Sequence, residues 1–270
     1  MDEKTIRKII RLRFRRLKKY WSLVENTFDM DAVHDFRVEY KKLRAFLRLL
    51  SSSSDHKKIK IPHSLQDIYQ YAGPVRDLQL HISNMEKNGK ELGLPVNHLR
   101  RLRRKLASAK RQLKNVMQPE VLLDCREKIE KKIPGALEVS VIENFAGAKM
   151  TVVSGITSRK TIRDNDLHML RKSMKDIIYN ARTFESDLSV PFVWKNWNTG
   201  KAKCFAELAT YLGRFQDSCT AMAHLKEGYE NASGEEKELI NNIKRKQQRQ
   251  KNQLKRRVIE KFTDTHCFPA

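Results

Sequence analysis

Two hundred and seventy residues at 31.7 kDa allow one large domain or two small ones. Forty per cent of the residues are apolar, enough for a real core, and 55 Lys or Arg against 32 Asp or Glu leave a formal charge of +23. Such an excess implies an anionic partner: nucleic acid, an acidic membrane surface or a polyphosphorylated ligand. Ten Gly and seven Pro are too few for a loop-rich or all-β fold. No uncharged apolar run approaches the ~18 residues of a membrane span, and the first residues lack the apolar core of a signal peptide. The cysteines at 125, 204, 219 and 267 form no Cys-x-x-Cys pair, which predicts reduced thiols in a cytoplasmic protein rather than a zinc ribbon or disulfide framework.

Apolar periodicity predicts an all-α chain, beginning with a helix over about 4–26 that holds eight Lys or Arg between positions 7 and 19. A second helix over 31–51, with Asp31 at its N-cap, ends at the serines from Ser51. At ~100° per residue, His34, Arg37, Lys41, Arg44 and Arg48 share one basic stripe of it. Phe36, Tyr40, Leu43, Leu47 and Leu50 form a core stripe about 120° away. Like charges three and four residues apart cost a few tenths of a kcal/mol per pair (~0.3), so such a stripe asks for an anion. Helices follow at 63–86, stopped by Lys87 to Lys90, at 96–117 and at 120–132. The 98–114 segment holds eight Lys or Arg and no acid, with Arg100 and Arg104 on its basic side.

The stretch 135–160 is rich in β-branched residues. Its apolar spacing through Leu137, Val141, Phe145, Ala148, Val152 and Ile156 nevertheless predicts helix. Helices then run over 164–188, capped by Asp164, over 201–229 and over 234–262. Phe192, Trp194 and Trp197 are expected to pack as a loop on the second half. Residues 244–257, from Lys244, again hold eight cations and no acid. With the runs in the first and fourth helices, these predict one extended electropositive surface.

The chain repeats itself. His34, Arg37 and Lys41 match His168, Arg171 and Lys175 at an offset of 134, and Tyr71, Gly73 and Asp77 match Tyr211, Gly213 and Asp217 at an offset of 140. In the second copy Arg182 continues the basic stripe while Ile178 interrupts it. Leu170, Met174, Ile177, Ala181 and Phe184 repeat the core stripe. The pattern predicts two tandem bundles of about four helices, about 1–118 and 119–270, with the boundary near 118–137. No aromatic residue interleaves with either basic stripe, unlike the stacking platforms of single-strand nucleic-acid binders.

Catalytic patterns are missing. His34 and His168 have no neighbouring ligand on their stripes, so neither a metal site nor a cofactor is expected. Asp77 and Asp217 suit capping or pairing with a buried Arg, and histidines 56, 63, 81, 98, 224 and 266 show no common geometry. No phosphate-loop glycines, Ser-His-Asp set or Cys-His pair is present.

The segment Val33-His34-Asp35-Phe36-Arg37-Val38-Glu39-Tyr40-Lys41-Lys42-Leu43-Arg44, followed by Tyr71-Ala72-Gly73-Pro74-Val75-Arg76-Asp77 and echoed in the second half, resembles the CHAD family, the conserved histidine α-helical domains. Gln79 departs from the family pattern, where an acid is common, and Asp176 to Ile178 replace a more basic run. The resemblance spans nearly the whole chain. It implies two four-helix bundles related by a pseudo-twofold, forming one domain around a basic central groove that binds inorganic polyphosphate without catalysis. The residues expected to hold the ligand are His34, Arg37, Lys41, Arg44, Arg48, Arg100, Arg104, His168, Arg171, Lys175, Arg182 and Lys244. Arg forks and mobile Lys ammoniums suit such a chain. Nucleic acid on the same surface is the alternative or competing partner; a membrane is not expected. Polyphosphate binding would place a cytoplasmic protein of this kind at polyphosphate granules.

Overall fold

The computed structural model describes residues 1–52 and 58–263. Among them nine α-helices form: α1 Glu3–Thr27, α2 Met30–Leu50, α3 His63–Leu92, α4 Val96–Val116, α5 Val121–Glu130, α6 Val139–Thr157, α7 Asp164–Arg182, α8 Thr199–Glu230 and α9 Gly234–Glu260. A π-helical turn, Thr183–Asp187, extends α7, and a 3-10 turn, Lys261–Thr263, ends α9. The only extended pairing among the described residues is an isolated antiparallel bridge between Asp2 and Ala136. It seats the chain start on the segment before α6, where the Met1 ammonium donates to the Leu137 carbonyl at 2.8 Å. No described helix is long and apolar enough to cross a membrane.

Several boundaries depart from the sequence expectations. The 87–90 segment does not stop α3, which continues to Leu92 and ends at Gly93, in the left-handed region at φ +87°. Gly89 is accommodated inside the helix because the Leu94 side chain closes over it, leaving 2.2 Å to where a Cβ would stand. Asp31 is not the N-cap of α2: Asp29 is, its carboxylate accepting from the backbone N–H groups of Asp31 and Ala32. Arg163, not Asp164, occupies the N-cap of α7, and the Asp166 carboxylate accepts from the Arg163 N–H at 2.8 Å. Asp164 instead receives the ammoniums of Lys251 and Lys255 at 2.6 and 3.0 Å. The 135–160 stretch is helical as expected, but its inner face is rotated. Ile142, Phe145, Ala146, Val153 and Ile156 are buried, while Ala148 and Val152 face solvent.

Both core stripes are buried as the wheel predicts, from Phe36 to Leu50 and from Leu170 to Phe184. Each large apolar side chain so buried contributes about 1.5–3 kcal/mol, far more than the repulsion within a basic stripe. Helix α1 packs on α2, α3 on α4, α6 on α7 and α8 on α9. The two repeats meet where α2 packs along α7, sealed by the Asn180 amide donating to the Ala45 carbonyl at 3.2 Å, and where α3 touches α8. Buried apolar residues of both repeats form one contiguous core. Helix α5, between the repeats, rests on α1 and α3. The aromatic loop packs as expected: Phe192 lies 5.5 Å from Phe184, and Trp197 lies 5.8 Å from Phe205.

Candidate anion-binding cavity

Because apolar flanks draw α2 against α7, their basic stripes are forced to converge. Together with α3 and α8 they enclose a cavity of about 570 Å³. Nine Lys or Arg and two His line it, against three Asp. His34, Arg37, Lys41, Arg44, Arg48, His168, Arg171 and Lys175 are all in this lining. Arg100, Arg104, Arg182 and Lys244 are not. Helices α4 and α9 form an outer layer, packed mainly on α3 and α8, so Arg100 and Arg104 point to solvent. Arg182, at the end of α7, is exposed. Lys244 places its ammonium 5.3 Å from the Tyr229 ring centroid.

Some cations of the outer basic runs are neutralised in place. Arg103 pairs with Glu86 at 2.8 Å, Arg101 with Glu236 at 3.6 Å, and Lys105 with Glu227. From the first helix, Arg13 is buried altogether. Its guanidinium donates to Glu39 Oε2 at 3.1 Å and Thr183 Oγ1 at 2.7 Å, and pairs with Asp187.

Within the cavity the two repeats differ. Arg37 is seated: its Nη1 donates to the Tyr69 carbonyl at 2.9 Å, and its guanidinium lies 4.6 Å from the Tyr69 ring centroid. Gly73 makes room for it, since a Cβ there would stand 2.9 Å from Nη1. The counterpart Gly213 has nothing near its missing Cβ, and Arg171 keeps a buried Nε without a partner. Arg171 therefore retains donors for a ligand. Arg48 is tied across the repeat boundary, its Nη1 donating to both Asp176 oxygens at 3.1 Å, while Lys149 approaches the same carboxylate at 2.9 Å. Thus Asp176, one residue past Lys175 of the second stripe, neutralises the end of the first.

Burial, with Arg37, Arg171, Arg44 and Lys175 around it, lowers the Lys41 ammonium to about 7. Burial and then Arg171 and Arg182 lower Lys175 to about 8. His34 is also lowered, first by burial and then by Arg76. His168 Nδ1 lies 2.9 Å from Gln216 Oε1, and Gln216 stands where the 140-residue offset puts Arg76 in the first repeat. Arg76 and Gln79, three residues apart on α3, clamp the α1–α2 corner by donating to the carbonyls of Met30 at 2.9 Å and Phe28 at 2.7 Å. An acid at position 79 could not donate this bond.

Asp77 and Asp217 neither cap nor ion-pair with a described residue. They face the cavity, and desolvation raises both, opposed by Arg37 for the first and Arg171 for the second. Aromatic rings do reach the cavity, contrary to the stripe reading: Tyr69 comes from α3, and Tyr179, four residues after Lys175, lies at the edge of α7's own stripe. Arg76, Lys172 and Arg214 also line it and escaped the wheel. The one usable signal was the duplicated Gly-to-Asp block, which contains Arg76 and Arg214.

His81, His98 and His224 do share a geometry that single-helix reading missed. His81 stacks on His224 at 5.0 Å and meets His98 edge-on at 6.0 Å, at the junction of α3, α4 and α8. The rings stack rather than converge, and no described group of three or more His, Cys, Asp or Glu is arranged to hold a metal. Burial lowers His81 to about 3 and His98 to about 4. Cys125 and Cys219 are free thiols, as expected for those two. Cys267 and the histidines at 56 and 266 lie outside the described residues.

Comparison with known proteins agrees with this architecture. The family model of the CHAD domain matches residues 8–226. The crystal structure of the CHAD domain from the plant Ricinus communis has a similar fold, with a TM-score of 0.72 at 13% sequence identity, covering 96% of this chain and 91% of that one. No curated protein matches the sequence. With four-fifths of its length matched and an all-α fold of the same shape, this chain belongs to the CHAD domain family.

Proposed function

We propose that the protein binds inorganic polyphosphate in the cavity between α2 and α7 and leaves it chemically unchanged. The observation that carries this reading is the lining itself: nine Lys or Arg and two His around a space of about 570 Å³. Bringing those charges together costs free energy that a flexible anion, charged on every phosphate and carrying no bases, offsets. Arg76 and Arg171 both stand in that lining with a buried Nε that has no partner. Such a protein would work in the cytoplasm, at polyphosphate granules.

Calorimetric titration tests the reading. Wild-type protein should bind polyphosphate, and Arg171→Glu should remove most of the affinity while leaving the far-ultraviolet circular dichroism unchanged. Absence of heat with wild type sinks it. Nucleic acid is the competing ligand, favoured by Tyr69 and Tyr179 in the wall. Tyr69, however, is already stacked on Tyr40 at 4.1 Å and covered by Arg37, which leaves it a poor platform for a base. Long polyphosphate should therefore displace a bound oligonucleotide at low concentration. The reverse order of displacement would transfer the site to nucleic acid.

A further inference from the structure

We infer that the anion path does not end in the cavity but continues into a second basic pocket, which holds the phosphates of a long chain beyond those in the cavity. This rests on the proposed function and adds a binding site outside the duplicated stripes. The second pocket, about 710 Å³, lies between the end of α2, the connection at 58–62 and α5. Arg44 and Arg48 line both spaces. The stacked Tyr40 and Tyr69 form the partition, Tyr69 facing the cavity and Tyr40 the second pocket. Arg44 straddles it, 5.7 Å from one ring centroid and 5.5 Å from the other, and makes no ion pair with a described residue. A chain that leaves the cavity past Arg44 meets Lys58, Lys60, Lys128 and Lys132.

The pocket differs from an ordinary solvated face because its charges are sorted. No described carboxylate lines it. Helix α5 carries both signs, yet Glu130 turns to the opposite side and accepts from Arg7 and Arg11 of α1 at 3.0 and 3.1 Å, leaving Lys128 and Lys132 on the pocket side. On α2, Glu39 is withdrawn into the buried pair with Arg13. Ile59 and Ile61 are 5% and 7% exposed, and this alternation holds Lys58 and Lys60 outward together. None of the four lysines has an ion-pair partner among the described residues; Lys128 lies on the last turn of α5 and Lys132 in the turn that follows it. The matching connection of the second repeat carries buried Phe192 and Trp194 instead, so the extension exists at one end of the path only.

The test compares tripolyphosphate with a chain of several tens of phosphates on three proteins: wild type, the quadruple variant Lys58→Glu, Lys60→Glu, Lys128→Glu, Lys132→Glu, and a charge-matched control reversing Arg100, Arg104, Arg111 and Lys114 on α4. A gentler Lys→Gln version of the quadruple variant guards against loss of fold. The expected result is that long-chain affinity falls by about tenfold or more in the quadruple variant, with a shallower salt dependence, while tripolyphosphate affinity stays at the wild-type value. The control should lose much less. Unchanged long-chain affinity in a variant, while Arg171→Glu still abolishes binding, would overturn the extension and leave the cavity reading standing. Equal loss for both ligands, or from the control, would overturn it as well, since the effect would then be general charge. If wild type binds neither polyphosphate, both the extension and the cavity reading fall.

Discussion

At Lys41 the cavity's like charges act most strongly on a single proton. An ammonium lowered to about 7, with Lys175 at about 8, is partly neutral in the free protein at the pH of a cell. A polyanion favours the protonated form and restores it toward the ordinary value near 10.5, so binding takes up protons and weakens as pH rises from 7 to 9. His34, lowered mainly by burial, adds uptake only at lower pH. Titration in buffers of different ionisation enthalpy should show this uptake, and Lys41→Arg should remove most of it; no uptake in wild type would rule it out. The two matched glycines give a second measurement. Gly213→Ala has open space and should raise stability by about 0.5–1 kcal/mol, the usual helix gain. Gly73→Ala drives a methyl against the Arg37 guanidinium, so it should forgo that gain and weaken ligand binding. Urea midpoints of the two variants decide it.

Between helices, two buried polar clusters bind the architecture and respond differently to perturbation. At the α3–α4–α8 junction His81 and His98 are each 3% exposed, with both ring nitrogens of His81 lacking a partner. Arg101 and Lys105 of α4, Glu227 of α8, Glu236 of α9 and Asp77 of α3 surround the three rings. Folding lowers these histidines, so the unfolded chain takes protons that the folded one refuses. Their contribution is whole above pH 6.5 and is lost as pH falls toward 4. By pH 5 each of the two rings should have cost about 2 kcal/mol. His81→Phe should flatten the difference between urea unfolding at pH 7 and pH 5, and an unchanged difference would refute the assignment. The second cluster joins α1, α2 and the π turn through Arg13 at 1% exposure. Arg13→Ala removes the buried guanidinium between Glu39 and Asp187, leaving them only Lys42 at 2.5 Å and Arg16 at 2.9 Å on the edge of the cluster, and should cost about 3 kcal/mol in the same assay. A loss below about 1 kcal/mol would mean that the cluster relaxes freely.

For the whole molecule, the net charge of +23 and the cavity together predict a steep salt response. With six or more phosphates neutralised, polyphosphate affinity should fall about a hundredfold or more between ~50 and ~200 mM salt. A flat curve would remove the basic lining from the site. Helix content, the two core stripes, the repeat and eight of the side chains that line the cavity were legible in the residues alone. Amphipathic periodicity is local, and burying a core stripe determines which face a helix turns inward. The family resemblance was equally legible, since its motif sits within single helices. What a wheel cannot hold is the neighbour across the interface. That Asp176 ties up Arg48, that Tyr69 and Arg76 enter from α3, and that Arg100, Arg104, Arg182 and Lys244 stay outside follow from which helices pack together. The gathering of His81, His98 and His224 follows from the same contacts. Those pairings join residues tens to more than a hundred positions apart. They were decided by the tertiary packing of apolar surface, which placed the cation stripes face to face as a consequence of filling the core.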